Sequence, residues 1–189
     1  MSLPNLITLV RIILTPLFVI LVINRMLAWA VAVFGLAALS DGLDGFLART
    51  LRQKTALGSY LDPIADKLLL DSAYVSLAVL EILPSWLAVI VISRDLIILV
   101  GATMLHLLHG PIPIRPLPVS KITTFFQIVT LLAVLLAAPL PGLGLPRLLP
   151  SLLGLTAALT VISGLRYIFL GLSILTAGEE EGEGGLGKR

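Results

Sequence analysis

The sequence predicts an all-α integral membrane bundle of six transmembrane helices. Three observations carry that expectation. The chain has 189 residues, 58% of them hydrophobic, and a mean hydropathy of +1.07. Charged residues make up only 13%, about half the roughly 25% of an ordinary soluble domain. Six apolar stretches punctuate the chain, each with the roughly 17–25 residues a spanning helix needs, the last with more.

The first stretch covers about 5–24. Pro16 lies inside it, and bilayer helices tolerate such a kink. Asn24-Arg25 marks a turn, and the second stretch follows at about 26–48. The third runs over about 61–82 and the fourth over about 84–107. Pro84 opens the fourth, where a missing N–H does no harm. HGPIPIRPLPVS at 109–120 is too proline-rich for helix and reads as a loop, as does APLPGLGLPR at 138–147. The fifth stretch is about 119–138 and the sixth about 147–176. The chain therefore divides into one membrane domain over 1–177 and a charged tail at 178–189, which is expected to be disordered. MSLPN has no basic n-region, so a cleaved signal peptide is not expected.

Positive charge orients the bundle. Arg49, Arg52 and Lys54 lie between the second and third stretches, and Arg115 and Lys121 lie around the fourth loop. The opposite side carries Arg25 and Arg147. The N-terminus, the 49–60 and 108–120 loops and the tail are thus expected in the cytoplasm, with Trp29 and Trp86 near the outer ends of their spans. Cysteine is absent, which excludes disulfides and thiol chemistry.

Against this apolar background stand Asp41, Asp44, Asp62 and Asp66, in SDGLDGFLART and GSYLDPIADK. An aspartate at the centre of a spanning helix costs about 2.5–3.5 kcal/mol. The topology moves these four to the cytoplasmic ends of the second and third spans, where the cost is lower. Asp41 and Asp44 lie about 60° apart around a helix, and Asp62 and Asp66 about 40°. Each pair faces one way, and a short basic loop joins the two helices. Four converging carboxylates repel unless hard cations lie between them, so Mg²⁺ or Mn²⁺ with oxygen ligands fits, and two ions are feasible. Zinc is disfavoured without cysteine. Gly45, Ala48 and Gly58 leave room for a bulky ligand, and Arg49 can answer phosphate charge. Simple ion pairing with Arg49 and Lys67 accounts for one or two of the acids, not for four at this spacing.

The window Asp41-x-x-Asp44-Gly45-x-x-Ala48-Arg49, then Gly58-x-x-x-Asp62-x-x-x-Asp66, resembles position for position the signature of the CDP-alcohol phosphotransferase (phosphatidyltransferase) family. LPNLITLVRI, LPSWLAVIVISRD, SKITTFFQ and LTVISGLRYI are also similar to segments of its bacterial phosphatidylglycerophosphate synthase and cardiolipin synthase branches. The resemblance covers roughly residues 3–170. It implies a membrane enzyme, usually a homodimer, with a polar cavity open to the cytoplasm. Members transfer a phosphatidyl group from a CDP-linked donor such as CDP-diacylglycerol to an alcohol and release CMP. By position, Asp41, Asp44 and Asp62 match metal ligands. Asp66 matches the catalytic base, and is also a candidate ligand. Gly45, Ala48, Arg49 and Gly58 match positions around the CDP moiety.

Further polar residues extend this expectation. Asn5, Thr8 and Arg11 recur on one side of the first span, and Asn5 and Thr8 read as donor-binding. Arg94, Lys121 and Arg115 read as a basic pocket for an acceptor phosphate; Arg94 pairing with Asp95 or Asp71 is the plainer alternative. Arg166 is balanced between that pocket and snorkelling to headgroups. Lys67 reads as an ion-pair partner or a snorkelling cation, and Asp71 as its structural companion. The favoured acceptor is glycerol 3-phosphate, giving phosphatidylglycerophosphate; the runner-up is phosphatidylglycerol, giving cardiolipin. A bacterial inner-membrane location with a cytoplasm-facing site follows, with no nucleic-acid partner. The rival from another class is a cation transporter or channel, which would place acids near the midplane on several helices.

Overall fold

The structure is a computed structural model that describes residues 3–38, 56–109, 117–137, 140, 142 and 144–184. Within those helices the side chains of 3–9, 56–66, 106, 108–109 and 175–184 lie outside the description. Among the described residues everything regular is helical: α1 (Leu3–Ile23), α2 (described over Leu27–Ala38), α3 (Ala56–Val79), α4 (Ser85–His109), α5 (Pro118–Ala137) and α6 (Leu145–Gly184).

The turns explain the boundaries. α1 ends with Arg25 in the left-handed region at φ 57°. Arg25 N–H donates to Val22 O, and Met26 N–H to Leu21 O, both at 2.9 Å. That is a Schellman cap with arginine where glycine is usual. Asn24 adds a side-chain bond to Ile20 O at 2.8 Å. α3 ends the same way. Glu81 is left-handed at φ 59°, and Ile82 N–H reaches back to Leu77 O at 3.0 Å. The third helix therefore stops at Val79, short of the expected 82, and begins at Ala56, earlier than the expected 61.

α1 lies against α3, α3 against α4, α4 against α6, and α5 against α6. α2 joins through Phe34, whose ring centroid is 5.8 Å from that of Phe18 on α1. The buried cluster draws Phe18 and Val22 from α1, Ala30 and Phe34 from α2, Tyr74 and Leu77 from α3, Leu87 and Val91 from α4, and Leu131 and Leu135 from α5.

Among the described residues three helical stretches are long and apolar enough to cross a membrane: Ser85–Leu105, Pro118–Ala137 and Leu145–Ile174. The apolar stretches in α1 and α2 are shorter, Val10–Ile23 and Leu27–Ala38 among the described residues. The polarity of the bundle differs from that of a soluble protein: large apolar side chains cover the outside, and polar ones are buried within a largely apolar core. Ile13, Trp29, Val79, Val89, Leu107 and Phe169 are exposed, whereas Arg11, Arg94, Asp95, Gln127 and several threonines are buried. Apolar outside and hydrogen-bonded polar inside is the arrangement a lipid solvent selects.

α6 departs from expectation. It has 40 residues, a length of about 60 Å against a hydrocarbon core of about 30 Å. It continues through the Gly/Glu-rich segment expected to be disordered, as far as Gly184. The glutamates there are adequate helix formers and extend a helix already nucleated upstream. Residues 185–189 lie outside the described residues.

Candidate functional site

α3 carries Gly58, Asp62 and Asp66 on one uninterrupted helix, so the two aspartates stand one turn apart. α1 likewise carries Asn5 and Thr8. The side chains of these five residues lie outside the description, as do Asp41, Asp44, Gly45, Ala48, Arg49 and Arg115 altogether. Among the described residues no group of three or more His, Cys, Asp or Glu could hold a metal ion. The aspartate window lies outside the described side chains, and it is the oxygen-donor cluster that the sequence sets among apolar spans. Its four carboxylates, with no thiolate in the chain, suit a hard divalent cation.

Directly beyond Asp66 the structure shows a buried charge cluster. Arg94 and Asp95 sit mid-way along α4, and their side chains are 3% and 5% exposed. Arg94 Nη1 donates to Asp95 Oδ1 at 2.5 Å. Its Nη2 donates to the Ser120 hydroxyl on α5 and to Ser163 Oγ on α6 at 3.2 Å. Its Nε also reaches Ser163 Oγ, at 3.3 Å. One guanidinium therefore joins α4, α5 and α6. Gly164 lies beside it, where a Cβ would stand 3.6 Å from Arg94 Cγ, an ordinary van der Waals contact. The partner expected as the plainer alternative, Asp95, is the one found. Lys121 is exposed beside Ser120.

Lys67 on α3 completes the cluster. Its Nζ lies 2.5 Å from the same Asp95 Oδ1. The contact is an ion pair without good hydrogen-bond angles, because Nζ has no hydrogen-bond partner in the structure. The side chain is 39% exposed, yet Nζ itself is buried. A snorkelling lysine keeps its stem in apolar surroundings and its ammonium in water. Lys67 does the reverse, so of its two expected roles the structure realises the ion pair. Asp71, a turn further along, leaves Oδ1 buried without a hydrogen bond, as Asp95 does Oδ2. Lys67, Asp71 and Asp95 line one end of a cleft of about 330 Å³ between α3 and α4.

Sequence reasoning missed the seam that holds α5 to α6. Thr123 Oγ1 donates to Leu159 O at 3.1 Å. Gln127 Nε2 donates to Thr160 Oγ1 at 3.3 Å. The Thr130 and Thr156 hydroxyls meet at 2.7 Å. From α3, the Tyr74 hydroxyl donates to Gln127 O at 2.9 Å. The signal was present as Ser120, Thr123, Gln127 and Thr130 at helical spacing, facing Thr156, Thr160 and Ser163.

The sequence matches the CDP-alcohol phosphatidyltransferase profile over residues 1–174. The chain belongs to the CDP-alcohol phosphatidyltransferase family. Human cardiolipin synthase (CMP-forming) is 34% identical over 186 residues, covering 90% of this chain and 62% of that protein. A probable phosphatidylglycerophosphate synthase of Mycobacterium tuberculosis is 35% identical over 180 residues, covering 88% and 80%. A CDP-diacylglycerol–glycerol-3-phosphate 3-phosphatidyltransferase of Pseudomonas fluorescens is 43% identical over 104 residues, covering 52% and 53%. The match spans only 62% of the human cardiolipin synthase and 51% of its rat counterpart. The buried charge cluster adjoins the aspartate window in sequence: Lys67 directly follows the last aspartate of that window.

Proposed function

We propose that the chain is a membrane-embedded phosphatidyltransferase that uses CDP-diacylglycerol and glycerol 3-phosphate to make phosphatidylglycerophosphate and CMP. The observation that carries this reading is the spacing of Asp41, Asp44, Asp62 and Asp66 in a chain of this family. The choice of glycerol 3-phosphate rests on the mycobacterial relative, of which the match covers 80%. Phosphatidylglycerol, giving cardiolipin, is the second reading, favoured by the identity to the human enzyme.

In this reading Asp41, Asp44 and Asp62, with Asp66, hold Mg²⁺ or Mn²⁺, as two ions. The metal supplies charge neutralisation at the donor's pyrophosphate. Gly45, Ala48 and Gly58 let the CDP moiety approach the backbone, and Arg49, Asn5 and Thr8 contact it. Asp66 takes the proton of the acceptor hydroxyl as its oxygen bonds to the lipid-side phosphorus. The pyrophosphate P–O bond breaks and CMP leaves with the bonding pair. Lys121 and Arg115 meet the acceptor phosphate, together with Arg94, which exchanges its Ser120 hydroxyl for a phosphate oxygen. The remaining parts of the proposal are six membrane crossings, a polar cavity open to the cytoplasm, an inner-membrane location and a homodimer.

The test is an acceptor screen. Purified protein in detergent is given labelled CDP-diacylglycerol, Mg²⁺ and either glycerol 3-phosphate or phosphatidylglycerol. CMP release with glycerol 3-phosphate is the expected result. Release with phosphatidylglycerol alone selects the second reading, and no release with any alcohol rejects both.

A further inference from the structure

We propose that Lys67 is an acceptor-binding residue and that Asp95 is the positioning residue that presents it. This rests on the phosphatidyltransferase reading and adds to it a contact that the family pattern does not assign. The geometry is specific. Lys67 follows Asp66 on α3, about 100° further around the helix. A site built on Asp66 thus has the next position of the same helix at its edge. The Lys67 ammonium is drawn inward against Asp95 Oδ1 while its stem stays part-exposed. An ammonium carries three N–H donors. One oxygen of Asp95 cannot occupy all three, and no described group accepts from them with good geometry. Lys67 lines the α3–α4 cleft, so a ligand entering that cleft meets the residue that carries them.

Asp95 does two things with one atom. Its Oδ1 holds Arg94, which is anchored to α5 and α6 through Ser120 and Ser163, and it holds Lys67 on α3. The position of Lys67 is thereby referred to three other helices. Packing alone gives no reason for this arrangement, because well-packed apolar residues commonly do as well as buried ion pairs. Lys67 and Arg94 against Asp71 and Asp95 make a charge-balanced cluster, and such a mixture of donors and acceptors suits an acceptor that carries both phosphate and hydroxyl groups. The nearby unpaired oxygens of Asp71 and Asp95 are suited to accept from its hydroxyls.

The experiment measures steady-state constants for donor and acceptor separately, with the acceptor that the wild type turns over. Lys67→Met leaves Asp95 paired with Arg94, so it removes the ammonium and preserves the anchor. Its acceptor KM is expected to rise about 10- to 100-fold, the worth of a charged hydrogen bond, with the CDP-diacylglycerol KM and the melting transition in detergent unchanged. Asp95→Asn is expected to reproduce the acceptor defect, and the double variant to be no worse than the poorer single. Lys67→Arg restores part of the acceptor affinity. An unchanged acceptor KM in Lys67→Met overturns the proposal, as does a parallel loss for donor and acceptor or a multiplicative loss in the double variant. If Asp95→Asn does not fold, Lys67→Met and Lys67→Arg decide the role of Lys67 by the same criteria, and an acceptor defect in a folded Asp95→Glu decides that of Asp95. Wild-type protein that releases no CMP rejects the phosphatidyltransferase reading itself, a result separate from any of these.

Discussion

At the scale of single residues, the proposed chemistry separates two aspartates that stand one turn apart on α3. Asp62→Asn is expected to lower CMP release about 100-fold or more, the scale of a lost metal-ligand charge, with the melting transition retained. Asp66→Asn is expected to lower turnover about 10²–10⁴-fold, as for a general base, while CDP-diacylglycerol binding measured by equilibrium dialysis stays within a few-fold. Equal losses of turnover and binding in Asp66→Asn would make it a ligand and not a base. Chelation with EDTA is expected to abolish release, and Mg²⁺ or Mn²⁺ to restore it. The four aspartates stand out in the sequence because an uncompensated carboxylate is costly in an apolar chain, and the proposal that they hold a cation rests on their helical spacing. For Lys67 the sequence left two roles open, an ion pair or snorkelling, and did not choose between them. A lysine beside a membrane helix end ordinarily snorkels, and only the position of Asp95 on another helix, against which the ammonium turns inward, reverses that.

At the scale of elements, helices and turns were largely readable from hydropathy and proline, and three of the six expected spans are long and apolar enough to cross a membrane among the described residues. α4 and α5 agree with their expected limits within about two residues, within the ordinary disagreement over helix ends. The caps were hidden, because glycine is the usual marker and Arg25 and Glu81 stand in its place. A side chain in the left-handed region costs about 1–2 kcal/mol. Glu81→Gly is therefore expected to stabilise the α3–α4 turn by about 1 kcal/mol, read as a raised melting temperature in detergent. The α5–α6 seam was hidden for another reason. Isolated threonines inside an apolar helix look unremarkable until the facing helix shows theirs in register. Thr130→Val leaves Thr156 without its 2.7 Å partner and is expected to cost about 0.6–1.7 kcal/mol, measured by unfolding in mixed micelles.

For the whole molecule, the decisive property is an apolar exterior around a core that also buries polar groups. Hydropathy marks the chain as lipid-facing, but it does not say which polar groups close the interior. The structure supplies these as the Arg94 cluster and the α5–α6 seam. The exposed Trp29 and Trp86 open α2 and α4, at the same end of the bundle. Both are expected at a membrane interface. Lipids brominated near the headgroup should quench their fluorescence more than lipids brominated at the chain ends. Stronger quenching from the chain ends would place that end of the bundle within the hydrocarbon.

The Arg94 cluster also bears on how such a chain enters a bilayer. Helices emerge from the ribosome in order, so Lys67 and Asp95 become available to each other once the α3–α4 hairpin exists. Ser120 and Ser163 arrive later, on α5 and α6. Arg94 and Asp95 are adjacent in sequence and can enter lipid as a neutral pair instead of as separate charges. Insertion of the fourth helix thus need not await the fifth and sixth, whose hydroxyls then lock a guanidinium already compensated.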